Sequence, residues 1–345
     1  MKVFALCKTY LHVAQTLALC EWFIEKGNNP ELTIFRGKTI WNNFAIKKEA
    51  LYFSITDYPV VMSDMPHSSF AATPWAIAQF IVTSLKKNNL QNIMVNPGTP
   101  HLHFLSGLTA SKKHIDAFFS LEEGISTYGN ISTKVRAKIL KRDRYSFHFF
   151  LSLGVETIKQ LLFRIVTYRS GGIIECISDR NETHDGNRVM LKPLLKSTMS
   201  SNVFGFSKTL IPNNTILFLS GPFVELGIID KQTYLSIINA VRDHFQSISL
   251  RNNFIIKPHP VEKTDKYNGY MICDFDGPVE AIFGAYRANI TCVVGINSTA
   301  LIYASKLFDL PSYRIEHKLI FPPGRKNSDS NLERLLAKHT RTLQL

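Results

Sequence analysis

The chain has 345 residues, more than the ~250–300 at which one hydrophobic core usually splits, so two domains are expected. Apolar residues make up 45% and charged residues 19%, which argues against a disordered chain. A net charge of +13 favours an anionic partner such as nucleic acid, an anionic membrane surface, or a phosphorylated or carboxylated substrate. Five scattered cysteines (Cys7, Cys20, Cys176, Cys273, Cys292) contain no C-x-x-C pair and argue against a zinc site or a disulfide framework. Cys7, Cys20 and Cys292 lie in apolar runs and read as small core residues. The opening apolar run is too short for a signal peptide, and no stretch approaches ~20 apolar residues, so a cytoplasmic protein is expected.

Lys2 to Cys7 reads as a buried strand and Val13 to Ile24 as a helix stopped by Gly27. The turn between them, Lys8 to His12, is a candidate cleft loop, although a helix cap explains Thr9 equally well. Further strands are expected at Leu32 to Phe35, Leu51 to Ile55 and Asn92 to Val95, with a helix from Trp75 to Lys87. Alternation of this kind argues for a doubly wound sheet. Ile115 to Leu121 is another strand, and it delivers Glu122, Glu123 and Gly124 into the following loop. Two adjacent carboxylates resist ionising together, which tends to raise one pKa toward the range of a general base. Taken alone, the triplet reads first as a helix cap beside a solvated acid.

From Lys134 to Arg144 the chain is strongly basic, and Tyr145, Phe147, Phe149 and Phe150 follow. Basic residues interleaved with aromatics suit peripheral contact with an anionic bilayer through residues 134–166. Single-stranded nucleic acid, or simply a solvated basic helix face, fits the same composition. Arg180 to Ser201 is polar and reads as loop-rich. The domain boundary is expected near 205, giving an acceptor-side domain over 1–205 that carries the basic helical insertion, a nucleotide-sugar-binding domain over 206–328, and a basic helix over 329–345 that crosses back to the first domain.

The second half repeats the strand–helix alternation. A strand at Thr215 to Leu219 runs into Ser220, Gly221 and Pro222, and a helix is expected from Lys231 to Phe245. The apolar run Asn253 to Lys257 then ends at Pro258, His259 and Pro260, which places His259 at a strand's carboxyl end, the ligand edge of open α/β sheets. Lys257 and His259 suit an anionic group there, and a solvated turn fits equally. A strand at Gly269 to Cys273 precedes a helix that starts around Pro278 and Glu280. A strand at Ile290 to Val294 turns through Gly295, Asn297, Ser298 and Thr299 into a helix from Leu301 to Phe308, and Pro311 to Glu316 is the last strand. Hydroxyl residues at a helix start supply a cap and an anion site.

If both halves are parallel sheets, these loops face one central cleft, which is a GT-B-like architecture of two Rossmann-type domains. The first strand is not followed by G-x-G-x-x-G, and no G-x-x-x-x-G-K-[ST] occurs, which disfavours a dehydrogenase and a P-loop nucleotidase. No dense Asp/His cluster points to a metal.

The acidic pair with glycine (Glu122-Glu123-Gly124), His259-Pro260 and Ser298-Thr299, in this order, resemble the three short motifs of bacterial sialyltransferases. Their contexts, Leu121 to Tyr128 and Lys257 to Pro260, are similar to capsular polysialyltransferases and to lipooligosaccharide sialyltransferases of glycosyltransferase family 52. The turn Cys7 to His12 resembles the latter too, with Tyr10 where a proline is expected. The resemblance implies inverting transfer of sialic acid from CMP-sialic acid to a glycan acceptor, without a metal or other cofactor. By this resemblance Glu122 is the base, Glu123 the second choice, and His259 stabilises the leaving phosphate with Ser298 and Thr299. Glu280 resembles the acid that holds ribose hydroxyls, and Ser220, Gly221, Lys257, Pro260 and Asn297 complete the donor-side candidates. Other readings are a GT-B transferase for CMP-Kdo or a UDP-sugar, and a non-catalytic basic protein that binds membrane or RNA.

Overall fold

The computed structural model describes residues 1–7, 9–36, 51, 56–64, 92–97, 115–121, 171–175, 188–205, 211–260, 262–296, 298–316 and 330–344. The chain divides into two compact units, one of Met1–Lys48 with Phe53–Thr198 and the other of Glu49–Tyr52 with Met199–Leu345. In the first unit, β1 (Lys2–Cys7), α1 (Tyr10–Glu25), β2 (Glu31–Arg36), β3 (Val60–Asp64), β4 (Asn92–Pro97), β5 (Ala117–Leu121), β6 (Gly171–Glu175) and β7 (Arg188–Met190) precede α2 (Lys192–Ser200), which spans the boundary. The second unit continues with β8 (Thr215–Leu219), α3 (Lys231–Ile248), β9 (Asn253–Lys257), β10 (Met271–Ile272), α4 (Val279–Ala285), β11 (Ile290–Gly295), α5 (Ala300–Phe308), β12 (Ser312–Glu316), α6 (Ser330–His339) and β13 (Arg341–Gln344).

Each unit holds one sheet whose described pairings are all parallel, ordered β3-β2-β1-β4-β5-β6-β7 and β10-β9-β8-β11-β12-β13. Both are doubly wound: the chain starts in the middle, builds outward on one side, then crosses to the other, as in dinucleotide-binding folds. Parallel strands covered on both faces are apolar throughout, which is why β8 (Thr-Ile-Leu-Phe-Leu) is buried at every position. Helix α3 shows the complementary pattern. Tyr234, Ile237, Ile238, Val241 and Phe245 recur at helical spacing and join Phe218, Phe254 and Ile256 in one core, while Asp230 caps the first turn by accepting from Thr233 N–H at 2.8 Å. No described helix is long and apolar enough to cross a membrane.

Five expectations change. The stretch at 180–201 contains β7 and α2: Leu191, Leu195 and Met199 repeat every four residues and are fully shielded, and Pro193 falls in a first turn, where its missing N–H is harmless. An edge strand, β3, occurs at Val60–Asp64, held in register with β2. The expected strand at 51–55 is represented only by Leu51, which is buried but not in a strand; 52–55 lie outside the described residues, as do the helix at 75–87 and the basic stretch 134–166. Strand β10 is only two residues long at an exposed edge. The tail, expected to be a helix returning to the first domain, is α6 packed on α5 followed by β13, which pairs with β12 (Tyr313 beside Arg341) and buries Leu343 in the second core.

Candidate functional site

Strands β9, β8 and β11 are neighbours, and their last residues align: Leu219 lies beside Lys257 on one side and Gly295 on the other. At the usual strand spacing Lys257 and Gly295 are roughly 10 Å apart, a width suited to a phosphate approached from both sides. The winding reverses between β8 and β11, so the loops carrying Ser220, His259 and Ser298 leave the sheet at its topological switch point, where open α/β sheets bind ligands. Helix α4 follows β10 and packs on α5, so both helices start at this same edge.

The loops after β8 and β9 are joined by one buried carboxylate. Glu262 accepts from the His259 backbone N–H at 2.6 Å and from the Ser220 hydroxyl through Oε2; through Oε1 it accepts from Lys266 Nζ and Tyr267 OH, each at 2.7 Å. Its side chain is fully shielded from solvent, and that of Lys266 is 4% exposed. Lys266 also donates to both oxygens of Glu225, at 2.9 and 3.0 Å, and lies 5.0 Å from the Tyr267 ring centre. Burial opposes ionisation of Glu225, but Lys266 and the Lys263 N–H outweigh it and hold its carboxyl below the usual range. A buried charge group of this kind is tolerable because each oxygen and the ammonium have partners.

Ser220 is placed beside His259: its Oγ lies 3.2 Å from the His259 N–H and 3.2 Å from Lys257 O. Its single proton and the N–H of Gly221, which donates to Tyr234 OH at 3.0 Å, are thus used inside the loops. Among the donor-side candidates, these two therefore shape the site rather than reach out of it. His259 and Pro260 are exposed. Loss of hydration where the imidazole rests on the loop keeps its pKa below the ordinary value; Lys257 acts in the same direction, and the Glu262 and Glu225 carboxylates oppose it. Burial likewise depresses Lys257, offset in part by Cys273, Asp276, Asp274 and Glu262.

On the other side, Ser298 Oγ accepts from Ala300 N–H at 3.3 Å, a bond that does not use the hydroxyl proton. Thr299 is already helical (φ −63°, ψ −29°) and its side chain makes no cap bond. Glu280, in the first turn of α4, is 7% exposed, and burial pushes its pKa up to about 7. The Cys7 and Cys20 thiols are buried core groups, as the sequence suggests. Thr9 caps α1 by accepting from His12 N–H at 3.3 Å, and His12 is buried. Strand β5 ends at Leu121 as expected; Glu122, Glu123, Gly124 and Asn297 lie outside the described residues.

Sequence reasoning missed Glu225, Glu262, Lys266 and Tyr267. The one local signal was Glu262 and Lys266 at i, i+4, a spacing usually read as a solvated helical pair.

The family model of alpha-2,8-polysialyltransferases matches residues 76–315, more than half of the chain, and spans all three motifs. The chain belongs to the alpha-2,8-polysialyltransferase family. No curated protein matches the chain. Among solved structures, it is similar to the GT-B domain of a sialyltransferase from Photobacterium damselae (TM-score 0.52, 10% identity, covering 100% of both chains). It is also similar to a Vibrionaceae Photobacterium 2,6-sialyltransferase in complex with CMP and lactose (TM-score 0.52, 11% identity, 99% of this chain and 78% of that one). A putative UDP-N-acetylglucosamine 2-epimerase from Listeria monocytogenes shares the architecture (TM-score 0.54, 12% identity, 98% and 86% covered). At these identities the likeness shows the fold, which is GT-B, while membership of the polysialyltransferase family makes this GT-B chain a sialyltransferase-type glycosyltransferase.

Proposed function

We propose that this polysialyltransferase-family member transfers sialic acid, with inversion, from CMP-sialic acid to a terminal sugar hydroxyl of a bacterial surface glycan: lipooligosaccharide, O-antigen or capsule. The observation that supports the reading is the alignment of the ends of β9, β8 and β11 at the switch point of the second sheet, inside the region matched by the family, so that the loops bearing His259, Ser298 and Thr299 leave from one edge. Glu122, with Glu123 as second choice, takes the acceptor hydroxyl proton as the acceptor oxygen bonds to the anomeric carbon. The bond from that carbon to the phosphate oxygen breaks, and its electron pair stays on CMP. His259, Ser298 and Thr299 donate hydrogen bonds to the departing phosphate. Loss of hydration favours the neutral form of His259 in the free protein, and the charge of a bound phosphate favours its protonated form. Glu280 holds the ribose hydroxyls, and Lys257, Pro260 and Asn297 complete the donor side. With one phosphate to neutralise, no divalent metal is needed, so activity should survive EDTA.

We place the reaction at the inner face of the cytoplasmic membrane, with a lipid-linked acceptor and peripheral contact through the basic and aromatic residues 134–166. Purified protein is incubated with CMP-sialic acid and galactose-terminated acceptors, and CMP release is followed. Glu122→Gln should lower turnover by about 10³-fold, and undiminished release would rule out this base. Because a UDP-sugar enzyme shares the fold, a thermal-shift panel decides the donor: CMP and CDP should stabilise the protein and UDP should not. Stabilisation by UDP alone would favour a UDP-sugar donor.

A further inference from the structure

We propose that Glu262 is a positioning residue for the transfer reaction: it fixes the loop bearing His259 against the loop bearing Ser220, with Lys266 and Glu225 as its buried charge partners. The inference rests on the reading of His259 as the group that meets the donor phosphate.

A carboxylate has about four acceptor positions, and all four are occupied here by donors from three separate places: Ser220 after β8, the His259 backbone after β9, and the Lys266–Tyr267 turn. Two of these donors are the strand-end groups at the switch point itself. The other two tie the carboxylate to a shielded ammonium and a buried tyrosine, so Glu262 cannot shift without uncoupling Lys266 from one of its two acids. Between Pro258 and Pro260, the His259 backbone N–H is shared by Glu262 Oε2 at 2.6 Å and Ser220 Oγ at 3.2 Å, so these two groups fix the backbone from which the imidazole projects. The charged groups facing the imidazole are Glu262 from its own loop, Lys257 from the end of β9, and Glu225 from the loop after β8. Glu262 thus fixes the backbone that carries the imidazole and supplies part of the field that the ring feels.

The test uses the full-length protein with Glu262→Gln and Glu262→Asp, and His259→Ala as a control. An amide presents an acceptor at one end and a donor at the other, so Gln must oppose donor to donor, either at the His259 N–H or at Lys266. In Glu262→Gln, kcat should fall about 10²-fold, the loss expected for a catalytic group misplaced by about an ångström, with a smaller change in KM for CMP-sialic acid. The limb of the kcat–pH profile that disappears in His259→Ala should move to lower pH in Glu262→Gln, because a charge that favours the imidazolium is gone, and stay in place in Glu262→Asp, which keeps that charge. Normal kcat in a folded Glu262→Gln protein, or a lost kcat with the limb unmoved, would overturn the proposal. Full turnover by His259→Ala would instead overturn the underlying reading of the site.

Discussion

The two sheets share one winding pattern, yet their central strand ends are built in different ways. After β1, the Thr9 hydroxyl caps α1 by accepting from the His12 N–H, and His12 is buried. After β8 and β9, Ser220, His259, Glu262 and Lys266 form a charged cluster that holds two loops together and leaves the imidazole exposed. Topology alone therefore does not decide how a strand end is built. The distinguishing feature is a buried charge network, costly to assemble, placed directly behind a solvent-facing titratable group.

That contrast breaks first at His259. His259→Ala should lower turnover about 10³-fold while the melting temperature hardly moves, because the side chain is exposed; turnover within a few-fold of the parent would remove the site from the second sheet. Glu280 gives an intermediate effect that depends on pH. Its folded pKa of about 7 lies above the ordinary 4.5, so burial of the acid is tolerated below pH 4.5, and stability is lost as pH rises through 7. Glu280→Gln should therefore gain stability over the parent on going from pH 4.5 to 8, by something on the order of 3 kcal/mol in urea unfolding; a gain equal at both pH values would refute the assignment. The smallest effect is expected in the first sheet. Thr9→Ala should cost about 1 kcal/mol of stability and leave CMP release per folded molecule unchanged, and a selective loss of activity would restore the turn after β1 as part of the site.

Much of the second unit was legible in its sequence. Strands β8, β9 and β11 are short, mostly apolar runs bounded by Pro, Gly or Asn, β12 follows Pro311, and α3 declares itself by an acidic cap and a clear helical stripe. Edge elements were less legible. Strands β3, β7 and β13 are short or partly polar and owe their conformation to a neighbouring strand, so their residues carry little local signal. The same limit applies within the site. His259 stands between two prolines and Ser298 at a helix start, which are local features, whereas Glu262 draws its role from donors on the β8 loop and its own turn.

From the amino-acid order alone came the alternation of strands and helices, the three short motifs and the residues at the ends of β5, β9 and β11, because periodicity and turn chemistry are properties of neighbours in the chain. Tertiary structure alone decided that Ser220 and Gly221 are turned inward, that Glu262 and Lys266 are buried as partners, and that the tail ends as a strand. Those outcomes depend on pairing across about 40 residues of sequence in the case of Ser220 and Glu262, and on the loss of water around charges. Neither quantity exists until the sheet has closed around them.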